Sequence, residues 1–88
     1  MIGIIGFGRF GKLTAKYLAE DYEVVVYDSG ENAAGITAAG ARSVSLAEAC
    51  RQKILILCVP ISVLREKLQE FAPLLKPGTV VIDVCSVK

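Results

Sequence analysis

The chain has 88 residues, the length of a single domain. Hydrophobic residues make up 53% of the chain and its formal net charge is +1, so the composition excludes an intrinsically disordered protein. The sequence has no basic stripe that would follow a nucleic-acid backbone and no apolar run long enough to cross a membrane. Because the first residues also do not resemble a signal peptide, we expect a cytoplasmic protein without nucleic-acid or membrane partners.

Histidine and tryptophan are both absent from the sequence. Histidine is the commonest general base and a common neutral metal ligand. The three Cys residues are fewer than the four ligands of a closed zinc site. We therefore expect no metal site, and no histidine-based chemistry carried out by this chain alone.

Short apolar runs alternate with amphipathic segments along the chain, a pattern typical of a mainly parallel α/β sheet. The pattern predicts strands at 2–5, 23–27, 41–44, 53–59 and 79–84, and helices near 9–20, 31–39, 45–52 and 64–71. Right-handed crossovers between such strands favour the strand order 3-2-1-4-5. The expected fold is a doubly wound parallel sheet between two helical layers, a three-layer α/β/α arrangement.

Four features of these elements are specific enough to test. The first helix carries large side chains at helical spacing, and these predict one buried stripe: Phe10, Leu13, Thr14, Tyr17 and Leu18. Segment 53–59 is expected to be a fully buried strand. Gly40 is placed to end the second helix, and Ser45 with Glu48 has the spacing of a capping box at the start of the third.

The first strand is followed by the sequence Gly-Phe-Gly-Arg-Phe-Gly over residues 6–11. Gly6 allows the tight turn, Gly8 lets a pyrophosphate approach the backbone, and Gly11 lets the helix pack closely on the strand. The pyrophosphate then lies at the positive end of the helix. A strand before the motif and an amphipathic helix after it favour a Rossmann-type dinucleotide site; the alternative is a glycine turn without a ligand.

Asp28 ends the second predicted strand, 22 residues after Gly6. An acidic residue at this position accepts hydrogen bonds from the adenosine ribose, and its charge repels a 2′-phosphate, so NAD is preferred over NADP. The alternative is an Asp that caps the next turn. Two alternatives remain for Arg9: its side chain contacts a phosphate of the cofactor, or it is a solvated residue at the start of the helix.

The ends of the later strands supply further candidates. The backbone of Cys58, Val59 and Pro60 is expected to line the cofactor groove, although Pro60 also serves to end the strand. Cys58 and Cys85 are expected at the ends of neighbouring strands, either as a redox pair or, as we prefer, as small apolar residues. The predicted cofactor-binding residues are Gly6, Phe7, Gly8, Arg9, Phe10, Gly11, Asp28, Ser29, Cys58, Val59, Pro60 and Ser86.

Ser86 and Lys88 follow the last predicted strand, near the expected position of a nicotinamide ring. Ser86 is the candidate for a hydrogen bond to substrate or cofactor, and Lys88 for a pair with an anionic substrate. The alternative for both residues is a frayed terminus. Asp83 lies within the last apolar strand, where it either bonds a neighbouring loop or marks an outward-turned face.

The segments GFGRFG, YDSG, LCVPIS and VIDVCSVK together resemble the prephenate/arogenate dehydrogenase family of tyrosine biosynthesis. The resemblance implies oxidative decarboxylation, with hydride transfer from a small-molecule substrate to NAD(P)⁺ and with Ser86 near the nicotinamide. It also implies a downstream His as the base and a mainly helical catalytic and dimerisation region, neither of which lies within residues 1–88. We therefore expect one dinucleotide-binding domain, with little or no turnover alone, from a homo-oligomeric enzyme.

Two other functions share the predicted fold. One is a nucleotide-sensing domain that gates potassium transport, but such domains usually carry a Gly-Asp pair after the third strand, and residues 41–45 have none. The other is a different dehydrogenase, acting on imines or β-hydroxyacids. The terminal Ser-Val-Lys favours the tyrosine-pathway family over these. The last strand is expected at a sheet edge, where unpaired amides favour self-association.

Overall fold

The fold is a five-stranded parallel sheet with helices on both faces, and the computed structural model describes residues 1–28, 33–59 and 61–84 of it. The sheet order is β3-β2-β1-β4-β5, which confirms the expected order and the Rossmann-type α/β fold. The elements in chain order are β1 (Ile2–Ile5), α1 (Arg9–Leu18), β2 (Val24–Tyr27), α2 (Ala33–Ala38), β3 (Arg42–Ser43), α3 (Leu46–Cys50), β4 (Ile54–Leu57), α4 (Ile61–Phe71), a 3₁₀ turn (Ala72–Leu74) and β5 (Val80–Asp83).

Two apolar clusters lie on opposite faces of the sheet because successive strand residues point to opposite sides. On one face Ile4 packs with Ala15 of α1 and Ile36 of α2. On the other face Ile5 packs with residues of α3 and with Phe71 of α4. The three-layer arrangement follows from the crossovers, since the chain moves from β1 to β3 on one face and returns through β4 to β5 on the other.

The buried side of α1 differs from the predicted stripe. Leu13 is 49% exposed and Tyr17 is 66% exposed, whereas Gly11 and Ala15 are buried against the sheet. Small residues at this spacing let the helix axis approach the strands closely, and the larger side chains are displaced to the flank and outer surface. The prediction was wrong for Leu13 and Tyr17; Thr14 and Leu18 are half-buried.

The fourth strand is buried except at its start. Leu55, Ile56 and Leu57 are buried, but Ile54 is 37% exposed, so the expectation of a fully buried strand was wrong at this end. On the face of Ile54, α1 contacts β1 and β2 while α2 contacts β3. The helical layer on this face therefore covers the β1–β3 half of the sheet and leaves part of β4 and β5 uncovered.

The predicted helix boundaries are confirmed at two caps. Gly40 has a φ of +92°, a left-handed conformation that favours glycine after a helix. The Ser45 hydroxyl accepts a hydrogen bond from the Glu48 amide at 3.2 Å, as expected of an N-cap. Within the described residues, no helix has both the length and the apolar character needed to cross a bilayer.

Candidate functional site

The turn after β1 has a backbone that only glycine adopts readily. Gly6 has a φ of +101°, and its amide donates a hydrogen bond to the Tyr27 carbonyl at 2.8 Å. A Cβ on Gly6 would lie 2.5 Å from the carbonyl oxygen of Cys58. The fold itself therefore requires glycine at this position, both for its conformation and for the close approach of β4.

Gly11 is also required by packing. It lies in the first turn of α1, and a Cβ there would collide with the carbonyl oxygen of Gly6 and lie 3.3 Å from the Cβ of Cys58. The helix consequently rests directly on the glycine turn and on the end of β4. This is the close helix–strand contact that the sequence predicts for the last glycine of the motif.

Gly8 is different, because nothing in the described fold requires it to be glycine. It is the N-cap of α1 with a φ of −70°, which any residue adopts, and a Cβ there would meet no atom of the described residues within 4 Å. Its lack of a side chain keeps open the space in front of the helix. A glycine whose Cβ would project into open space beside a helix N-terminus is typical of a site where a ligand approaches the backbone.

The start of α1 is electrostatically suited to an anion. The first intrahelical hydrogen bond runs from the Lys12 amide to the Gly8 carbonyl at 2.8 Å, so amides before Lys12 have no carbonyl partner within the helix. The first turn contains no acidic residue, and glycine at the N-cap supplies no side-chain cap. The positive end of the helix dipole therefore faces the open space beside Gly8.

Asp28 is joined to the glycine turn by a direct hydrogen bond. The backbone amide of Phe7 donates to Oδ1 of Asp28 at 2.8 Å, and the Asp28 side chain is half-buried. A carboxylate has about four lone-pair sites over its two oxygens, so it can accept several hydrogen bonds at once. The structure thus brings the end of β2 to the glycine turn, as the motif spacing predicts.

Phe7 contributes to the turn from inside the protein. Its side chain is buried in the cluster that includes Ile36, and its Cε2 atom would lie 3.3 Å from a Cβ on Gly35 of α2. Its amide is bonded to Asp28. Phe7 therefore links the turn to α2, and Gly35 is a supporting residue that the sequence analysis missed; a glycine within an Ala-rich helix was the available signal.

The end of β4 lies beneath the glycine turn. The Cys58 amide donates to the Ile5 carbonyl at 2.8 Å, Cys58 is half-buried and Val59 is buried. Among the described residues, neither Cys58 nor Cys50 forms a disulfide bond. Burial raises the pKa of the Cys50 thiol, so this residue remains protonated and unreactive at neutral pH.

Several predicted site residues lie outside the described residues: Ser29, Pro60, Cys85, Ser86 and Lys88. The backbones of Arg9 and Phe10 begin α1, and their side chains also lie outside the described part of the structure. The roles predicted for all these residues stay predictions. Asp83 is exposed at the end of β5, in register with Leu57, and the described part of the chain contains no group of acidic and Cys side chains arranged to hold a metal ion.

The described groups fit a dinucleotide in three respects. Open space lies before the amides of α1 at Gly8, the helix dipole favours a pyrophosphate there, and Asp28 stands beside the turn with a carboxylate suited to ribose hydroxyls. All three features lie at the carboxyl ends of β1 and β2, next to the switch point where the strand order reverses between β1 and β4. Ligands of open α/β sheets bind at such a crevice.

Comparison with known proteins assigns a family to this arrangement. The model of the family described as NADP oxidoreductase, coenzyme F420-dependent, matches residues 1–86. The crystal structure of Synechocystis arogenate dehydrogenase matches 99% of this chain and 33% of its own, with 25% identity and a TM-score of 0.82. Apo D-mandelate dehydrogenase from Rhodotorula graminis is 27% identical, over 96% of this chain and 26% of its own, with a TM-score of 0.74.

The chain thus spans about a third or less of the length of these two dehydrogenases. A search of curated protein sequences finds no match. The similarity to arogenate dehydrogenase confirms the resemblance that the sequence motifs predict. The family match over residues 1–86, together with the glycine turn and the sheet order, shows that the chain belongs to the NADP oxidoreductase, coenzyme F420-dependent, family, as a Rossmann-type domain of the kind that binds nicotinamide dinucleotides.

Proposed function

We propose that this chain is the NAD-binding domain of a prephenate/arogenate dehydrogenase-like oxidoreductase of tyrosine biosynthesis. The observation that carries the proposal is the pairing of an open Gly8 with an Asp28 carboxylate bonded to the adjacent Phe7 amide. The similarity to arogenate dehydrogenase over 99% of the chain supports the substrate class. NAD⁺, when bound, supplies the hydride acceptor; the residues of this chain bind and orient it.

The choice of NAD over NADP rests on charge. The family description names NADP, whereas Asp28 places a carboxylate beside the glycine turn, where a 2′-phosphate would meet a like charge. The acidic residues nearest to Asp28 in sequence, Glu23 and Glu31, are also negatively charged, and no Lys or Arg follows Asp28 closely. Because this carboxylate lies beside the turn itself, NAD is the proposed cofactor.

Isothermal titration of the purified chain with NAD and NADP tests both parts of the binding proposal. We expect saturable one-site binding of NAD and weaker binding of NADP, with ADP binding more weakly than NAD because it lacks the second nucleotide half. Gly8→Ala tests the site, since its methyl group would project toward the ligand and would meet none of the described protein atoms within 4 Å. Equal affinity for NAD and NADP would contradict the role of Asp28, and binding unaffected by Gly8→Ala would contradict the site.

A turnover assay addresses the reaction. Because the chain contains no His to act as the base, we expect NAD binding without NADH formation from prephenate or arogenate. NADH formation by the chain alone would show that the catalytic base lies within residues 1–88. The second candidate is oxidation of a 2-hydroxy acid, which the 27% identity to D-mandelate dehydrogenase favours. If the chain does form NADH, its formation with D-mandelate but not with arogenate would support this candidate.

A further inference from the structure

Gly35 has no backbone reason to be glycine. It lies within α2, and it is not among the described glycines with a positive φ, which are Gly6, Gly40 and Gly78. Alanine is the best helix former and glycine is among the poorest. A glycine at this position therefore weakens α2 unless the protein uses the space that its missing side chain leaves.

The ring of Phe7 uses that space. A Cβ on Gly35 would lie 3.3 Å from the Cε2 atom of Phe7, and apart from its own helix it would meet no other described atom within 4 Å. Carbon atoms in ordinary contact lie about 3.5–4.0 Å apart, so an added methyl group would press on the ring. The ring is 7% exposed and packs in the cluster of Ile4 and Ile36. Because this cluster is closely packed, the ring cannot move aside freely.

Phe7 also belongs to the glycine turn through its backbone. It lies between Gly6 and Gly8, and its amide donates a hydrogen bond to Oδ1 of Asp28 at 2.8 Å. The ring that contacts α2 and the amide that contacts Asp28 are thus parts of one residue. The position of the ring consequently constrains the position of the turn relative to Asp28, and a hydrogen bond is sensitive to such a displacement.

We propose that the contact between Gly35 and the Phe7 ring positions the glycine turn relative to Asp28, with Phe7 as the positioning residue through which α2 acts on the cofactor site. A methyl group at residue 35 would shift the ring by a few tenths of an ångström, and the Phe7 amide would follow. Neither side chain is proposed to touch the cofactor. This inference rests on the proposed function, because it concerns how the NAD site is held in place.

Gly35→Ala tests the contact by adding one methyl group. We expect NAD affinity to fall about fivefold, and ADP affinity to fall by a similar factor, because the turn and Asp28 are proposed to hold the ADP half. Thr37→Ala is the matched control, since it raises helix propensity at an exposed position of the same helix and is expected to leave both affinities unchanged. Circular dichroism monitors the fold of each variant. An unfolded Gly35→Ala protein, or a folded one with unchanged NAD affinity, would overturn the proposal.

A second substitution tests whether Gly35 acts through Phe7. Phe7→Leu removes the ring edge that includes Cε2, so the methyl group of Gly35→Ala then occupies space that the ring no longer fills. We expect the double variant to bind NAD more tightly than Gly35→Ala alone. If the two residues acted independently, their losses of affinity would multiply and the double variant would bind more weakly than either single variant. That result would overturn the proposed coupling.

Hydrogen exchange without any cofactor separates this inference from the proposed function. The Phe7 amide is expected to exchange faster in Gly35→Ala than in the unchanged chain, because its bond to Asp28 is weakened. The Cys58 amide, which donates to the Ile5 carbonyl at 2.8 Å, is expected to keep its rate. An unchanged rate at Phe7, or equal acceleration at both amides, would overturn the positioning role. Failure of the unchanged chain to bind NAD would instead contradict the proposed function, while the exchange rates would still test the contact.

Discussion

The Oδ1 atom of Asp28 accepts a hydrogen bond from the Phe7 amide at 2.8 Å across 21 residues of sequence. This bond holds the end of β2 against the turn that follows β1. The residue proposed to bind the ribose is therefore also a structural part of the turn proposed to face the pyrophosphate. Substitutions at Asp28 consequently affect both the stability of the turn and the choice of cofactor.

Asp28→Asn separates these two roles. The amide oxygen of Asn retains an acceptor for the Phe7 amide, so we expect the free energy of unfolding to fall by less than about 1 kcal/mol. Asp28→Ala removes the acceptor and leaves the part-buried amide unpaired, at a cost of about 2 kcal/mol. Urea unfolding of the three proteins measures the difference.

The same pair of variants reports on cofactor choice. Asn carries no charge to repel a 2′-phosphate, so the ratio of NADP to NAD affinity is expected to rise about tenfold in Asp28→Asn, which corresponds to about 1.4 kcal/mol. Fluorescence titration of NADPH and NADH measures this ratio. An unchanged ratio in a folded Asp28→Asn protein would show that the charge of Asp28 does not select the cofactor.

Substitution by Ala is expected to have opposite effects at two glycines of the motif: at Gly8 it mainly weakens NAD binding, and at Gly11 it mainly destabilises the fold. The methyl group of Gly8→Ala would meet no atom within 4 Å in the described part of the protein, so it is expected to cost less than about 1 kcal/mol of stability while weakening NAD binding at least about tenfold. Gly11→Ala drives a methyl group against the Gly6 carbonyl and is expected to destabilise the fold by about 2 kcal/mol. Thermal unfolding and NAD titration of both variants provide the comparison. Strong destabilisation by Gly8→Ala would contradict the assignment of that glycine to ligand approach.

The sequence predicts the approach of Asp28 to the glycine turn better than it predicts which side chains of α1 are exposed. The glycine motif and Asp28 occupy fixed positions relative to the strand ends, so their approach follows once the strand order is known. The exposure of the Leu13 and Tyr17 side chains was not predictable in the same way. Helical periodicity identifies the largest apolar side chains, whereas close packing on a sheet is achieved here by the small residues Gly11 and Ala15.

The burial of β4 and β5 shows a second limit of sequence reasoning. An apolar run such as 53–59 predicts burial on both faces of the sheet, but which half of a face is covered depends on the paths of the helices. Here α1 and α2 lie over β1–β3, and Ile54 remains partly exposed as a result. Which strands the helices cover is therefore seen only in the folded structure.

Phe71 is expected to be the main anchor of α4. It is fully buried among residues of β1 and β4, and Phe71→Ala is expected to cost about 3–5 kcal/mol through the cavity it leaves. A loss of that size is comparable to the whole stability of a small domain, so the variant is expected to be largely unfolded at room temperature. Leu74→Ala, at an exposed apolar position on the following turn, is the matched control and is expected to change stability by less than about 1 kcal/mol.

Cys50 is expected to make stability fall at alkaline pH. Burial raises the pKa of its thiol above the ordinary value of 9.0, so the unfolded chain loses this proton more readily than the folded chain does. The contribution of the Cys50 thiol to the free energy of unfolding is fully present below pH 9.0. It is lost as pH rises from there through the pKa of the thiol in the folded state. Cys50→Ala removes the titrating group, so the fall in melting temperature between neutral and alkaline pH is expected to be smaller than in the unchanged protein. An identical fall would show that other groups account for it.

Amide NMR of the chain titrated with NAD tests the central claim most directly, because it locates the ligand residue by residue. We expect saturable shifts centred on the amides of Gly6, Gly8 and Gly11 and on the Phe7 amide that bonds to Asp28, with weak shifts in α3, which lies on the opposite face of the sheet. Saturating NAD that leaves the glycine turn unshifted, or that shifts only residues far from it, would contradict the assignment of this turn as the dinucleotide site.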